Sequence, residues 1–298
     1  MTEQNDIMTP RFWIKAWEDA RKNNPTESAM IRSSAELIDY YNQFASKYDQ
    51  LHSPVKRTKR VQQILDILQH EGFLTPGTDV LDIGCGSGNY TLPFSELCSS
   101  VTAIDGAEEM CRQLKNKVEH LSLKNIKVQQ KLWEEIDLEK EGMYKKYDLV
   151  FASMTEAVSD YKALKAMNDA SKENCCLVFW AGTVTNEVRS ELWEKIFNKP
   201  DPGYGTTSVI YPFNLLYSLG YYPAIRFIDT EWTSEETAAK ATESLARFFW
   251  LYTDITPGIT DIITSYVNEN AVNGTLLQKT EATLGVVTWK VSHCGNEN

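Results

Sequence analysis

The chain is short of cationic charge, of histidine and of paired cysteines, and each shortage narrows what it can be. Lys and Arg number 30 against 41 Asp and Glu, a formal charge of −11. A surface of that sign repels nucleic-acid phosphates at long range, which disfavours a nucleic-acid partner. The one basic cluster, Lys56, Arg57, Lys59 and Arg60, reads as the solvated face of a helix. The six cysteines, at 85, 98, 111, 175, 176 and 294, form no Cys-x-x-Cys pair and match no zinc spacing, so no metal site is expected. Cys175 and Cys176 are adjacent in an apolar run and read as buried strand residues of a reduced, cytoplasmic protein. No apolar run has the length of a signal peptide core or a membrane span, so no membrane partner is expected. Internal repeats and low-complexity tracts are missing as well. What remains, 42% hydrophobic and 24% charged residues, suits an ordered globular protein rather than a disordered one.

Three helices open the chain. Thr9 caps the first and Pro10 sits in its opening turn. The second spans Ser33 to Tyr48, with Ser33 and Glu36 spaced as a capping box and an aromatic stripe of Tyr40, Tyr41, Phe44 and Tyr48. The third follows Ser53-Pro54, turns Val61, Ile64, Leu65 and Leu68 inward and ends near Gly72. After Pro76-Gly77 strands alternate with helices. Strands are predicted at Asp79–Ile83, Val101–Ile104, Ile126–Lys131, Asp148–Ala152 and Cys175–Trp180, and helices near Asn89–Leu97, Glu108–His120, Tyr161–Ala170 and Glu187–Phe197. Alternation of that kind implies a parallel sheet covered on both faces. Beyond the turn-rich Asp201-Pro202-Gly203-Tyr204-Gly205 the order is less regular. Tyr221–Thr233 reads as a strand, Ser234 as the cap of a helix running to about Tyr252, a further helix follows Pro257-Gly258, and Ala282–Val291 closes as a strand.

Chemistry concentrates in Val80-Leu81-Asp82-Ile83-Gly84-Cys85-Gly86-Ser87-Gly88-Asn89-Tyr90. A buried strand runs into three glycines at alternating positions and then into a helix. Glycine there permits positive φ in a sharp turn and lets a ligand approach the backbone, and ligands of open α/β sheets lie beyond the strand carboxyl ends. The third glycine comes one position too early for the nicotinamide fingerprint. Asp82 suits an amino-acid ammonium better than a pyrophosphate, and no Gly-Lys-Ser/Thr follows to hold a nucleoside triphosphate.

Asp82-x-Gly84-x-Gly86-x-Gly88 resembles the first motif of class I S-adenosylmethionine-dependent methyltransferases. Asp105, about 20 residues beyond the loop, resembles the acid that holds the ribose hydroxyls. Tyr147 to Met154 resembles the family's fourth strand and the loop behind the methyl donor, and Tyr41 to Asp49 resembles the helix that precedes the core in small-molecule members. The resemblance implies a Rossmann-like α/β fold: a seven-stranded, mostly parallel sheet with helices on both faces, plus helical lid elements. It implies S-adenosyl-L-methionine as cofactor and S-adenosyl-L-homocysteine as product. The implied cofactor residues are Tyr48, Asp82, Gly84, Cys85, Gly86, Gly88, Asp105, Gly106, Ser153 and Met154, with Leu132, Trp133 and Glu134 near the adenine. One departure stands out. Leu132 occupies the place where many members carry an adenine-binding Asp, so either Glu134 substitutes or backbone groups read the base. Trp133 packs on the ring or belongs to the core.

For the acceptor, the aromatic helices and acidic charge favour a small, partly apolar molecule closed under a lid. The lid is expected from residues 1–50 together with a helical insertion at about 234–280, in a methyltransferase domain spanning 51–298. Ala246, Phe249, Trp250 and Thr253 would face the site while Glu243 and Arg247 stay wet. Of the four histidines, His52 is placed to serve as a general base, and Glu156 after the fourth strand is the other candidate. Neither an Asn/Asp-Pro-Pro-Tyr/Phe motif nor paired motif cysteines favour nucleobase methylation. An RNA methyltransferase and a non-catalytic cofactor- or partner-binding module are the competing readings. Monomer and homodimer are equally compatible with the sequence.

Overall fold

A computed structural model describes residues 7–23, 32–48, 54–182, 184–201 and 208–293. Its elements run α1 (Pro10–Asn23), α2 (Ser34–Tyr48), α3 (Pro54–His70), β1 (Asp79–Ile83), α4 (Thr91–Leu97), β2 (Ser100–Asp105), α5 (Glu108–His120), β3 (Ile126–Gln130), β4 (Tyr147–Ser153), α6 (Tyr161–Ala170), β5 (Ser171–Trp180), α7 (Glu187–Phe197), α8 (Ile210–Ser218), β6 (Ala224–Thr237), α9 (Ala238–Trp250), α10 (Pro257–Asn270) and β7 (Thr275–Lys290). The seven strands form one sheet in the order β3-β2-β1-β4-β5-β7-β6. All pairs are parallel except those of β7, which lies antiparallel between β5 and β6. The expected seven-stranded α/β fold is therefore present. Its strand order reverses at β1 and β4, the kind of point where such sheets open a crevice at their carboxyl edge. No described helix is long and apolar enough to cross a membrane.

Both sheet faces are buried because successive side chains of each central strand are apolar. Leu81, Ile83, Val150, Cys175 and Leu177 face a core completed by Trp17 of α1, Leu164 and Met167 of α6 and Leu215 of α8. Val80, Leu149, Phe151, Cys176 and Val178 face the other, completed by Ile64 and Leu68 of α3 and Phe94 of α4. Cys175 and Cys176 thus point to opposite faces, both fully buried.

A third core stands apart from the sheet. Leu192 and Trp193 of α7, Leu245 and Phe249 of α9, Ile263 and Val267 of α10 and Leu276 of β7 pack together. The N-terminal helix α2 docks onto this unit. Ser33 and Glu36 make the predicted capping box, with the Ser33 N–H donating to Glu36 Oε2 at 2.8 Å and the Glu36 N–H to Ser33 Oγ at 3.3 Å. Just ahead of α2, Arg32 lies 4.1 Å over the Trp250 ring and donates to the Trp250 carbonyl at 2.8 Å. Tyr40 stacks on Trp250 with centroids 5.9 Å apart and planes 1° from parallel.

Three expectations for the C-terminal part need correction. Ser234 does not cap a helix: it pairs with Gln278 inside β6, and Thr237 is the residue before α9. The last strand begins at Thr275 rather than Ala282, because the unbroken pairing of β6 with β7 outcompetes a local capping signal that is worth only about 1 kcal/mol. Helix α8 was not anticipated; Pro212 in its first turn reads as a breaker but is tolerated there, where backbone N–H groups have no intrahelical partner.

The antiparallel β7 is tied to α6 by a buried bond, Trp289 Nε1 donating to Asn168 Oδ1 at 2.7 Å. Trp289→Phe keeps most of the packing but strands that carbonyl. It should lower unfolding free energy by about 1–3 kcal/mol in urea titration. Stability equal to wild type would show that the bond contributes nothing net.

Candidate active site

At the carboxyl ends of β1, β2 and β4 lies a cavity of about 350 Å³. Its floor is the glycine turn. Gly84, Gly86 and Gly88 all take positive φ, at 67°, 53° and 95°, and each has a different reason to be glycine. A Cβ on Gly84 would strike the Thr155 side chain at 2.1 Å, and one on Gly88 would strike Leu114 at 2.4 Å. A Cβ on Gly86 would meet nothing within 4 Å. Gly86 therefore borders open space, as a backbone approached by a ligand must.

Asp105 ends β2 and ties two loops together. Its Oδ2 accepts from the Gly86 N–H and its Oδ1 from the Ala107 N–H, each at 2.8 Å. Burial raises its pKa, and the two N–H groups oppose that rise by favouring the charged form. Asp82 lies elsewhere. It is 2% exposed beneath the turn, where its Oδ2 accepts from Thr91 Oγ1 at 2.5 Å. Desolvation pushes Asp82 up to about 7, with the Thr91 bond pulling down and the Asp105 charge pushing further up.

The structure gathers eight of the expected residues around this cavity: Gly84, Gly86, Asp105, Gly106, Leu132, Trp133, Glu134 and Met154, with Glu156 at its edge. Leu132 packs against Gly106, where an added Cβ would meet it at 2.7 Å, so this wall is apolar. Trp133 is 4% exposed and its Nε1 donates to the Ala163 carbonyl, so the ring is anchored in the core at the cavity's margin. Met154 takes φ 52°. Asp82, Cys85, Gly88 and Ser153 are not among the lining residues; the first three support the turn from beneath. Protein packed around the Glu156 carboxyl pushes its pKa up, with Arg21 opposing. The residue is nevertheless exposed. Tyr48 ends α2, its side chain lying outside what is described, and His52 lies outside the described residues.

The structure also supplies lining residues that sequence reasoning passed over. Leu37 and Ile38 of α2, Arg60 of α3 and Trp180 of β5 border the cavity, beside Tyr41 and Trp232, two of the aromatics that the sequence offers to a bound cation. Arg60 corrects the solvated-face reading: it is half-buried, and its Nε is buried without a hydrogen-bond partner. The signal was legible, since Arg60 precedes Ile64 and Leu68 at helical spacing and so shares their inward face. The lid face is corrected too. Phe249 turns into the third core, whereas Glu243, Arg247 and Phe248 border a second chamber of about 600 Å³ beside the first.

A family model described as a methyltransferase domain matches residues 80–174. Among curated proteins the chain is similar to the 23S rRNA (uracil(1939)-C(5))-methyltransferase RlmD of Alkalilimnicola ehrlichii, 34% identical over 80 residues, which is 27% of this chain and 17% of that protein. It is also similar to an uncharacterized protein of Haemophilus influenzae, 27% identical over 156 residues, 51% of this chain and 54% of the other. The chain thus spans about half the length of one curated relative and about a sixth of the other. Among solved structures, magnesium protoporphyrin IX methyltransferase from Synechocystis PCC 6803, with bound SAH, superposes with a TM-score of 0.52 at 16% identity, covering 86% of this chain and 99% of that one. That likeness is one of fold. The methyltransferase-domain match thus covers residues 80–174, and it coincides with the glycine turn and the central strands of a Rossmann-like sheet.

Asp82 should leave a pH signature on the ligand-free protein. Its folded pKa is raised above the ordinary 3.8 to about 7, so the stability it contributes is fully present below 3.8 and is lost as pH rises to about 7. Asp82→Asn keeps an oxygen for Thr91 and removes the titration. In urea melts across this range, the stability of the variant relative to wild type should rise with pH. A constant difference would mean that Asp82 titrates as an ordinary carboxylate.

Proposed function

We propose that this protein transfers the methyl group of S-adenosylmethionine to a small-molecule acceptor. The observation that carries the reading is the match between the cavity's polar groups and the cofactor's parts. Asp105, already oriented by two backbone N–H groups, has lone pairs left for the ribose hydroxyls. The buried, unpartnered Nε of Arg60 can donate to the methionine carboxylate. The open backbone at Gly86 gives the methionine portion its path, and Leu132, Met110 and the Trp133 margin offer an apolar slot to the adenine. When bound, the cofactor supplies an electrophilic methyl on a sulfonium. The chain's own part is to align the acceptor in line with it, and orientation of that kind can lower a barrier by on the order of 7–11 kcal/mol. Trp180, Trp232 and Tyr41 add aromatic surface around the reacting centre, where a cation gains about 0.5–2 kcal/mol per ring.

The RlmD likeness favours a second reading, methylation of RNA. Methylation at a pyrimidine carbon of the RlmD kind calls for a thiolate nucleophile, which must be exposed and of low pKa. All five described cysteines are buried, and burial pushes every one of their thiols up, Cys111 and Cys175 to about 12. Five free thiols also suit a reducing, cytoplasmic setting. Cavities of about 350 and 600 Å³ and the net charge of −11 weigh toward the small acceptor.

Titration calorimetry tests the cofactor reading. S-adenosylmethionine and S-adenosylhomocysteine should both bind and NAD should not. Arg60→Met should weaken both by about 1.5–3 kcal/mol, the range for hydrogen bonds to charged groups, without lowering the melting temperature. Unchanged affinity in the variant would remove Arg60 from the site, and tight NAD binding alone would end the reading.

A further inference from the structure

The second chamber, of about 600 Å³, shares one wall with the cofactor cavity, the Trp232 side chain. Most of its charged residues sit at the rim. Lys240, Glu235 and Glu243 are exposed, and Arg247 pairs with Glu243 at 2.8 Å. On the helix side the half-buried Arg189 lies 4.2 Å over the Phe248 ring. The strand wall is neutral at depth. On the inner face of β6 and β7, Trp232 lies opposite Thr280 and Ser234 opposite Gln278, so Gln278 is the diagonal neighbour of Trp232 on the same face, within reach of one bound molecule. Thr280 Oγ1 accepts from Asn186 Nδ2 at 2.8 Å, and Glu236 accepts from Ser244 Oγ at 2.7 Å. Gln278 differs from these. It is 5% exposed and lines the chamber, yet its carboxamide has no hydrogen bond to any described residue. An amide that faces the chamber without a protein partner is available to a molecule entering it. Flat aromatic walls, Tyr40, Phe44 and Phe248, stand around it.

We infer that this chamber is the acceptor site, on the methyltransferase reading above, and that Gln278 selects a neutral, flat acceptor presenting a hydrogen-bond donor beside an acceptor. A carboxamide offers one N–H edge and one carbonyl edge in a plane, so it pairs two-point with a lactam or aminoheterocycle. A carboxylate would have to draw Arg189 off the Phe248 ring or settle at the rim cations, and an ammonium would have to compete with Ser244 for Glu236 or settle at the rim acids. The acceptor body then lies against the aromatic walls, with its reacting end passing Trp232 toward Met154 and the cofactor cavity.

The test uses the full-length protein saturated with S-adenosylhomocysteine and titrated by ligand-observed NMR with 2-pyridone, benzoate and benzylamine. 2-Pyridone should bind, with the other two at least tenfold weaker. Gln278→Met, close in volume, should weaken 2-pyridone by about tenfold, as expected for losing a hydrogen bond or two, while S-adenosylhomocysteine affinity stays at wild type. Gln278→Glu, which replaces the donor NH2 by a second acceptor oxygen, should prefer 2-aminopyridine to 2-pyridone. Equal 2-pyridone binding in wild type and Gln278→Met overturns the inference, as do preference for benzoate or benzylamine and binding of none of the three probes. Failure of S-adenosylhomocysteine to bind at all would instead sink the cofactor reading on which this one rests.

Discussion

The site depends on one carboxylate. Asp105 ends a central strand, and its two oxygens each hold a backbone N–H from a different loop, Gly86 from the turn after β1 and Ala107 from the entry to α5. That bridge extends to Gly86 the hold that the Gly84 and Cys85 N–H groups already have on the Ile104 carbonyl of β2, and glycine's conformational freedom makes such a turn expensive to order. Charge-assisted bonds to two N–H groups also stabilise the ionised form against the burial that disfavours it. The same geometry that shapes the turn therefore presents a charged acceptor to the cavity. The structural role and the proposed ligand-binding role converge on one side chain, so its removal would confound the two. Arg60, which holds nothing in the ligand-free protein, separates them.

Much of this was legible in the residues. Strand and helix alternation from Asp79 to Trp180 follows from short apolar runs punctuated by glycine and polar turns, and α5, α6 and α7 fall at the residues expected from their periodicity. The glycine spacing and Asp105 led to the end of the sheet where a cavity lies. Less legible were features set by pairing between distant segments. The extension of β6 through Ser234 to Thr237 depends on β7, about 40 residues away, and local capping rules have no access to that. Which face of α9 meets the chamber was misread for a related reason. Its most apolar face, Leu245 and Phe249, is satisfied by α7 and α10, leaving the mixed face of Arg247 and Phe248 to line the cavity. Amphipathicity shows that a helix has a buried face; it does not show which neighbour buries it.

Helix α2 links the two cavities, and it does so through helical geometry alone. Leu37, Ile38 and Tyr41 border the cofactor cavity, while Tyr40 and Phe44 border the second chamber. Each set recurs at spacings of one helical turn, and the two sets are offset by about 100° per residue, so one helix presents a separate edge to each space. The helix is held on both sides. Its Asn42 accepts from the Glu109 N–H of α5 at 2.9 Å, and Ala45 packs with Ala107 and Met110 beside Asp105. On the other side Tyr40 stacks on Trp250, with Arg32 clamped over the same ring. These last contacts are aromatic and polar, whereas the insertion's attachment to α7 is a closed apolar core. A seam of the first kind involves less buried apolar area than one of the second, and is the cheaper to part. Because α2 borders both cavities, a residue change on one of its faces bears on the wall that the neighbouring face gives to the other.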